Sequence, residues 1–528
     1  MSGIIGQIPA RGLPASGGLY EDYLAGGGEV ERRLGAHDGA AIEAAATRRD
    51  PGPLDPQLVE ALVAYNRDIG VSDAVVRRLQ EPGVRYVVTG QQPGALGGPL
   101  MTLYKIATAK ALAEHVEAVC GVPAVALYWM GADDVDFAEV REFVAPTPDL
   151  TPVSASISAS AHDAAMQVGE IPAAALEGLW RSVAPLLSGD PGAQFAASAV
   201  ESALASGIDH GGVSARIVAA VTGGEVAVLD AREPALRASA GPLTLDFFDS
   251  EPEVREAVAA SGAELEQAGL HAQLWPGPDS GVFISENGRR IKIPDAQRVT
   301  ARESIAASPE HTAPGVILRN LIQDSVFSPV AVVLGAAEIA YRAQIAPLYK
   351  RFDVPLPVSF TRLSATFVPP ALAGVDGFDA SALVVDPAAW TRSVFAAQSD
   401  PGLAAARGEL LERFRDARDG FHRAVAAQAS ERTATRVGKR LDDVARRLEQ
   451  GTDVFEEVGR ARALEQWPFL EHAPDMFARQ DRPQERYLSL LCPGLFSGSG
   501  AWQTVMAAAR EHLPGTMDGN TMHVVYSA

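Results

Sequence analysis

Three consecutive segments between residues 83 and 143 constrain the fold most. "VRYVVTG" is β-branched, "LMTLYKIATAKALAEHVEAV" carries apolar residues at helical spacing, and "VPAVALYWM" is a second run of buried character. Two short buried strands around a helix form a βαβ unit, because parallel strands need a crossover connection. An α/β fold with a parallel-sheet core follows. The stretch 316–352, "VILRNLIQDSVFSPVAVVLGAAEIAYRAQIAPLYKRF", returns to helix, strand, helix and is expected to supply the second half of the sheet.

Between these stretches the pattern changes. Residues 150–230 are Ala/Ser-rich with two expected helices, followed by the strand "GEVAVLDA". "GVFISENGRRIKI" reads as a hairpin, since Asn287-Gly288 suits the positive φ angles of a two-residue turn. An antiparallel hairpin inside an α/β chain implies inserted subdomains, at about 150–300. Residues 1–80 are a Gly/Ala/Pro-rich lead-in whose role is not readable; within it Leu58, Leu62 and Val63 share one helical face.

At 528 residues the chain is too long for one simple core. The expected division is a core with insertions over 1–383, a helical coiled-coil arm over 384–463, and a segment over 464–528 packing back on the core. In the arm, Leu410, Phe414, Ala417 and Phe421, and then Val437, Leu441, Val444 and Leu448, repeat at heptad-like spacing, which predicts two antiparallel helices. Such an arm is either a solvated hairpin or a homodimer contact.

With 45 Lys+Arg against 66 Asp+Glu, the formal charge of −21 repels phosphate backbones and anionic headgroups, so neither nucleic acid nor a membrane surface is an expected partner. Two cysteines, Cys120 and Cys492, offer no disulfide framework and no thiolate zinc site. The ten histidines show neither H-E-x-x-H nor H-x-H, and no metal is predicted. "MSGIIGQIPARGLPASGGLY" lacks the build of a signal peptide, and the expected location is the cytoplasm.

Three stretches carry candidate chemistry. In "TGQQPGALGGPL" the residues Thr89, Gly90, Gln91, Gln92, Gly94, Gly97 and Gly98 join a strand to a helix, where backbone N–H groups and a helix N-terminus attract anions, and Lys105 can reach back from that helix. The spacing matches neither G-x-G-x-x-G nor the G-x-x-x-x-G-K-[ST] loop, and a plain turn stiffened by Pro93 and Pro99 explains the residues equally well. In "LYWMGADDVDFAEV" the carboxylates Asp133, Asp134 and Asp136 follow a strand, either as a solvated helix start or in the crevice beyond the carboxyl ends of the sheet. Arg319, Gln323, Asp324, Glu338, Tyr341 and Gln344 flank the strand "VAVVLG", with an Arg319–Asp324 ion pair and an exposed Glu338 as the plain alternative.

These blocks resemble the bacillithiol biosynthesis cysteine-adding enzymes, the BshC family. The likeness lies in "TGQQPGALGGPLMTLYKIATAKALA" at 89–113, "YWMGADDVDFAEV" at 128–140, "ILRNLIQDSVFSPVAVVLGAAEIAYRAQIAPLY" at 317–349 and, more faintly, "QERYLSLL" at 484–491. The resemblance implies a Rossmann-like core with inserted connecting pieces and a coiled-coil arm that mediates dimer formation. It also implies ligation of cysteine to the amine of glucosaminyl-malate. By similarity to other ligases with this core, the carboxyl activator is ATP or another nucleotide. On that footing Gly90, Gln91, Gln92, Gly94, Gly97 and Gly98 line the site, and Lys105 with Arg319 offsets phosphate charge. Asp134 and Asp136 bind sugar hydroxyls or accept a proton.

Two departures stand out. The family's Glu-Asp-His-Asp is Asp133-Asp134-Val135-Asp136 here, which removes an imidazole, and its Gly-Gly-Pro-rich turn is Gly335-Ala336-Ala337. They leave open a catalytically silent relative that binds a nucleotide or thiol metabolite as a dimeric scaffold, or a ligase of other specificity.

Overall fold

The computed structural model describes residues 3–11, 13, 18–48, 52–189, 192–275, 281–452, 454–479 and 482–527. These residues divide into two compact units, one comprising 1–148, 152–373 and 479–528, the other 149–151 and 374–478.

The first unit is built on five strands: β1 (Arg85–Gln91), β2 (Ala124–Met130), β3 (Ala227–Asp230), β4 (Ala331–Leu334) and β5 (Val358–Thr361). Every neighbouring pair is parallel and the order is β5-β4-β1-β2-β3. All seven residues of β2 and all four of β4 are buried, as expected of strands covered on both faces. The order reverses direction at β1, and the gap between the carboxyl ends of β1 and β4 is the topological switch point of a Rossmann-like sheet.

Four helices matter for the site: α1 (Leu100–Cys120), α2 (His210–Val221), α3 (Val316–Phe327) and α4 (Ala336–Arg351). Most of α1 is buried, and it stops where Gly121 takes a left-handed conformation, φ 66°. Among the described residues of 150–230 there are three α-helices rather than the expected two, Ala173–Leu187, Ala193–Ser206 and α2. Glycines 211 and 212 mask the start of α2 in the sequence, but the Asp209 side chain caps it by accepting from Gly212 N–H.

The hairpin Val282–Glu286/Arg289–Ile291 forms, with Asn287 at φ 49° and Gly288 at φ 71°. It joins Thr312–Pro314 in a small antiparallel sheet inserted between β3 and β4. The terminal strand Met522–Ser527 pairs with Gly3–Pro9 and with Ser364–Phe367.

Within the second unit, α5 (Pro401–Gln428) and α6 (Glu431–Thr452) pack against each other. Phe414, Val437, Leu441 and Leu448 are half-buried, while Leu410, Phe421 and Val444 stay exposed. No helix among the described residues is long and apolar enough to cross a membrane.

Candidate active site

A cavity of about 460 Å³ opens at the switch point. Its floor is the end of β1 and the residue after it (Gly90, Gln91 and Gln92) and the end of β4 with its turn and the start of α4 (Leu334, Gly335, Ala336 and Ala337). Lys105, Asp134, Glu139, Arg290, Arg319, Gln323, Glu338, Tyr341, Arg362 and Arg486 complete the polar wall.

Lys105 reaches back from α1 as its position predicts. Its Nζ donates to Gly90 O at 2.7 Å and Gln91 Oε1 at 2.9 Å, and pairs with Glu338 Oε2 at 2.6 Å. Burial lowers the Lys105 pKa, and the Glu338 charge works against that shift. Glu338 also accepts from Gly335 N–H at 2.7 Å, so one carboxylate caps α4 and neutralises the lysine. It is therefore not the bare exposed carboxylate that the plain alternative supposed.

A second group gathers on Asp134. Arg319 Nη2 meets Asp134 Oδ2 at 3.1 Å, Arg290 Nη1 lies 3.6 Å from Oδ1, and Val135 N–H donates to Oδ1 at 2.8 Å. Burial alone would raise the Asp134 pKa, but the two arginines and that N–H outweigh it and lower it. A carboxylate held in this way is a poor proton acceptor. Glu139 is different: it sits exposed at the rim and accepts from Gln92 Nε2 at 3.1 Å and Gln91 Nε2 at 3.5 Å. Partial desolvation, then the charges of Asp136 and Asp134, raise its pKa, against opposition from Lys105.

Several candidate residues lie elsewhere. Gly94, Gly97 and Gly98 do not line the cavity, which corrects the expectation that the whole hinge faces a ligand. A Cβ on Gly97 would stand 2.9 Å from Ile217 Cγ2 and 3.1 Å from Leu490 Cδ2, and one on Gly94 2.5 Å from Gly98 Cα. The N-terminus of α1 is also occupied, since Leu100 N–H donates to Leu488 O at 2.7 Å. This turn is packed between α2 and residues 488–490, and offers no phosphate cradle. Thr89 is buried, its Oγ1 donating to Val333 O across the sheet at 2.9 Å.

Asp136 caps the short helix Phe137–Val140 through Glu139 N–H at 3.3 Å and lies outside the cavity. Asp133 is fully buried, with neither oxygen hydrogen-bonded, behind the cavity-lining Arg290 and Arg319 whose charges it influences. Asp324 is buried too, outside the cavity lining: Arg342 clamps it and Tyr349 Oη donates to it at 2.6 Å, so it neither faces a substrate nor forms the Arg319 pair of the plain alternative. Gln344 braces backbone at Gln273 and Leu274.

Glu139, Arg290, Arg362 and Arg486 were not among the candidates. Glu139 stood inside the quoted acidic stretch, and Arg362 directly follows β5, where the same carboxyl-end rule applied. Arg290 and Arg486 arrive from an insertion and from the C-terminal segment; both stood inside quoted stretches, the hairpin and the faint family-like block at 484–491, but nothing local tied either arginine to the sheet's carboxyl ends.

A family model described as bacillithiol biosynthesis BshC, N-terminal Rossmann-like domain, matches residues 13–363, well over half of the chain. The chain belongs to this family. Among curated relatives, a protein named putative cysteine ligase BshC from Solibacter usitatus is 31% identical over 340 residues, 62% of this chain and 63% of that relative. One of the same name from Koribacter versatilis is 27% identical over 382 residues, 69% of this chain and 70% of the relative. A third, from Exiguobacterium sibiricum, is 25% identical over 59% of this chain and 62% of its own. The chain thus spans less than two thirds of the first relative's length. The BshC match covers all the cavity residues except Arg486.

Proposed function

We propose that the protein is a cysteine ligase of bacillithiol biosynthesis, joining the cysteine carboxyl to the amine of glucosaminyl-malate in the cytoplasm. The observation that carries this reading is the meeting, in one cavity at the switch point, of a buried lysine, an arginine-held aspartate and a rim carboxylate of raised pKa. A carboxylate does not condense with an amine unaided at neutral pH. A bound nucleoside triphosphate would supply the activating phosphoryl group, and Lys105 and Arg319 would hold its charge alongside their present carboxylate partners, Glu338 and Asp134.

The chain's own residues do the rest. Lys105 and Arg319 offset negative charge as it develops on the activated carboxyl. Gln91 and Gln92 orient polar groups of the substrates, and Asp134, kept ionised by its arginines, accepts from sugar hydroxyls. Glu139 takes the proton that the attacking ammonium must lose to become a free amine, a role its raised pKa suits better than the lowered one of Asp134. The exposed Leu410, Phe421 and Val444 on the helical arm support homodimer formation through α5 and α6.

The direct test incubates the purified chain with cysteine, glucosaminyl-malate and ATP and seeks the thiol conjugate by mass spectrometry, with serine and other amino sugars as controls. Conjugate that depends on all three components supports the assignment; its absence under every nucleotide tried removes it.

A further inference from the structure

The C-terminal segment contributes a wall to the cavity that the function above does not use. Glu485, buried to 5% exposure, receives both terminal nitrogens of Arg362: Nη1 donates to Oε2 at 2.9 Å and Nη2 to Oε1. Ala365 N–H adds a third bond at 3.4 Å. Its neighbour Gln484 is pinned in turn, donating to Phe367 O and accepting from Phe367 N–H, each at 2.9 Å. Residues 484–486 are thereby stapled to the strand that follows Arg362, and Arg486 is carried to the cavity wall.

Beyond the clamp, Arg362 Nη1 also donates to Leu363 O at 2.7 Å, which leaves its Nε–H to account for. Arg362 is 7% exposed and lines the cavity, yet its Nε–H has no hydrogen-bond partner. That nitrogen lies 3.6 Å from where a Cβ on Gly335 would stand, at the first residues of the sixteen-residue helix α4. Glu338 caps only the Gly335 N–H, so the N–H groups that follow in the first turn of α4 have no partner within the helix. Arg486 is half-buried and its guanidinium makes no hydrogen bond among the described residues. Arg362, Arg486 and the first residues of α4, from three separate parts of the chain, thus bring donors to the lining of one cavity in which Arg319 and Arg290 are already taken up by Asp134.

From this convergence we infer an anion subsite formed by Arg362, Arg486 and the start of α4, with Glu485 as the positioning residue that holds Arg362 in place. It receives a carboxylate or phosphoryl group of the reacting molecules and rests on the ligase reading only for which molecule carries that group. A pair of guanidinium groups beside a helix N-terminus is the donor arrangement that planar or tetrahedral oxyanions require.

Calorimetry on the full chain, titrated separately with L-malate and with inorganic phosphate, tests it without turnover. At least one anion should bind, and Arg486→Ala, which removes no internal bond of the side chain, should weaken that binding about tenfold. Loss confined to malate assigns the subsite to a substrate carboxylate; loss confined to phosphate assigns it to a phosphoryl group. Glu485→Gln, checked for folding by circular dichroism, should raise KM for the anionic substrate about tenfold with kcat little changed, whereas a merely structural role would lower kcat through loss of active protein. The subsite is overturned if neither anion binds, or if Arg486→Ala binds both as the parent does. Absence of ligation with intact anion binding would instead remove the ligase reading and leave the subsite standing.

Discussion

Two strand-to-helix turns lie side by side at the carboxyl ends of β1 and β4, and they put their small residues to opposite uses. The turn after β1 is long and rich in glycine, with Gly97 and Gly98 at φ 98° and 100° and even Leu96 at 51°. Its glycines make room for Ile217, Leu490 and one another. The turn after β4 is the single residue Gly335, at an ordinary φ of −86°, and it opens on the cavity together with the first residues of α4. Glycine density therefore reports how crowded a turn is, and the crowd here is protein. What links the two turns is Lys105, from the helix after the first, paired with Glu338, from the first turn of the helix after the second.

Breaking that link should have the largest effect. Lys105→Met keeps the stem's volume and removes the charge, and on the proposed ligase reading is expected to lower kcat by about a thousandfold, ~4 kcal/mol of transition-state stabilisation. Steady-state kinetics on folded variant decides it. Activity at the parent's level would mean that the pair serves only to join α1 to α4.

Glu139→Gln should come next, at about a hundredfold in kcat. The sign of its pH dependence follows from the raised pKa. A proposed base at Glu139 works only when deprotonated, so activity should fall as pH drops through a value above the ordinary 4.5 of a glutamate. The variant should lose that acid limb, and a pH profile of kcat retained unchanged would move the proton to another group.

The glycine contrast is tested by a matched pair. Gly97→Ala meets both a positive φ and two side chains inside 3.2 Å, and should cost roughly 2 kcal/mol of stability in urea titration. The kcat of the folded fraction should be unchanged. Gly335→Ala has an ordinary φ of −86° and places its methyl 3.3 Å from Glu338 Oε2. It should cost less than about 1 kcal/mol, with a severalfold rise in KM. If both variants lost stability alone, the second turn would be packing as well.

The sheet was legible because buried strands and helices leave periodic traces: β1, α1, β2, α3, β4 and α4 all coincide with runs readable in the chain. Part of the site was legible for the same reason, since Gln91, Lys105, Asp134 and Glu338 lie at element ends that the βαβ pattern orients. The rest depended on contacts far apart in sequence. Arg362 and Glu485 are 123 residues apart, and Arg319 and Asp134 185. What fills the space above a glycine, such as Leu490 against Gly97, is equally invisible to local pattern.

The smallest effect belongs to Asp136, one residue beyond Val135 and two beyond Asp134. It is exposed, and its bond to Glu139 N–H at 3.3 Å caps a helix of four residues. Asp136→Ala should cost only about 0.5 kcal/mol, the low end for a cap. Removing this charge should also let the Glu139 pKa fall back, because Asp136 is the first charged neighbour holding it up. The acid limb of the activity profile should then shift to lower pH while its height is kept. A loss of kcat comparable to that of Glu139→Gln would place Asp136 on the substrate itself, and would return to the acidic run a role that its capping geometry now assigns to structure.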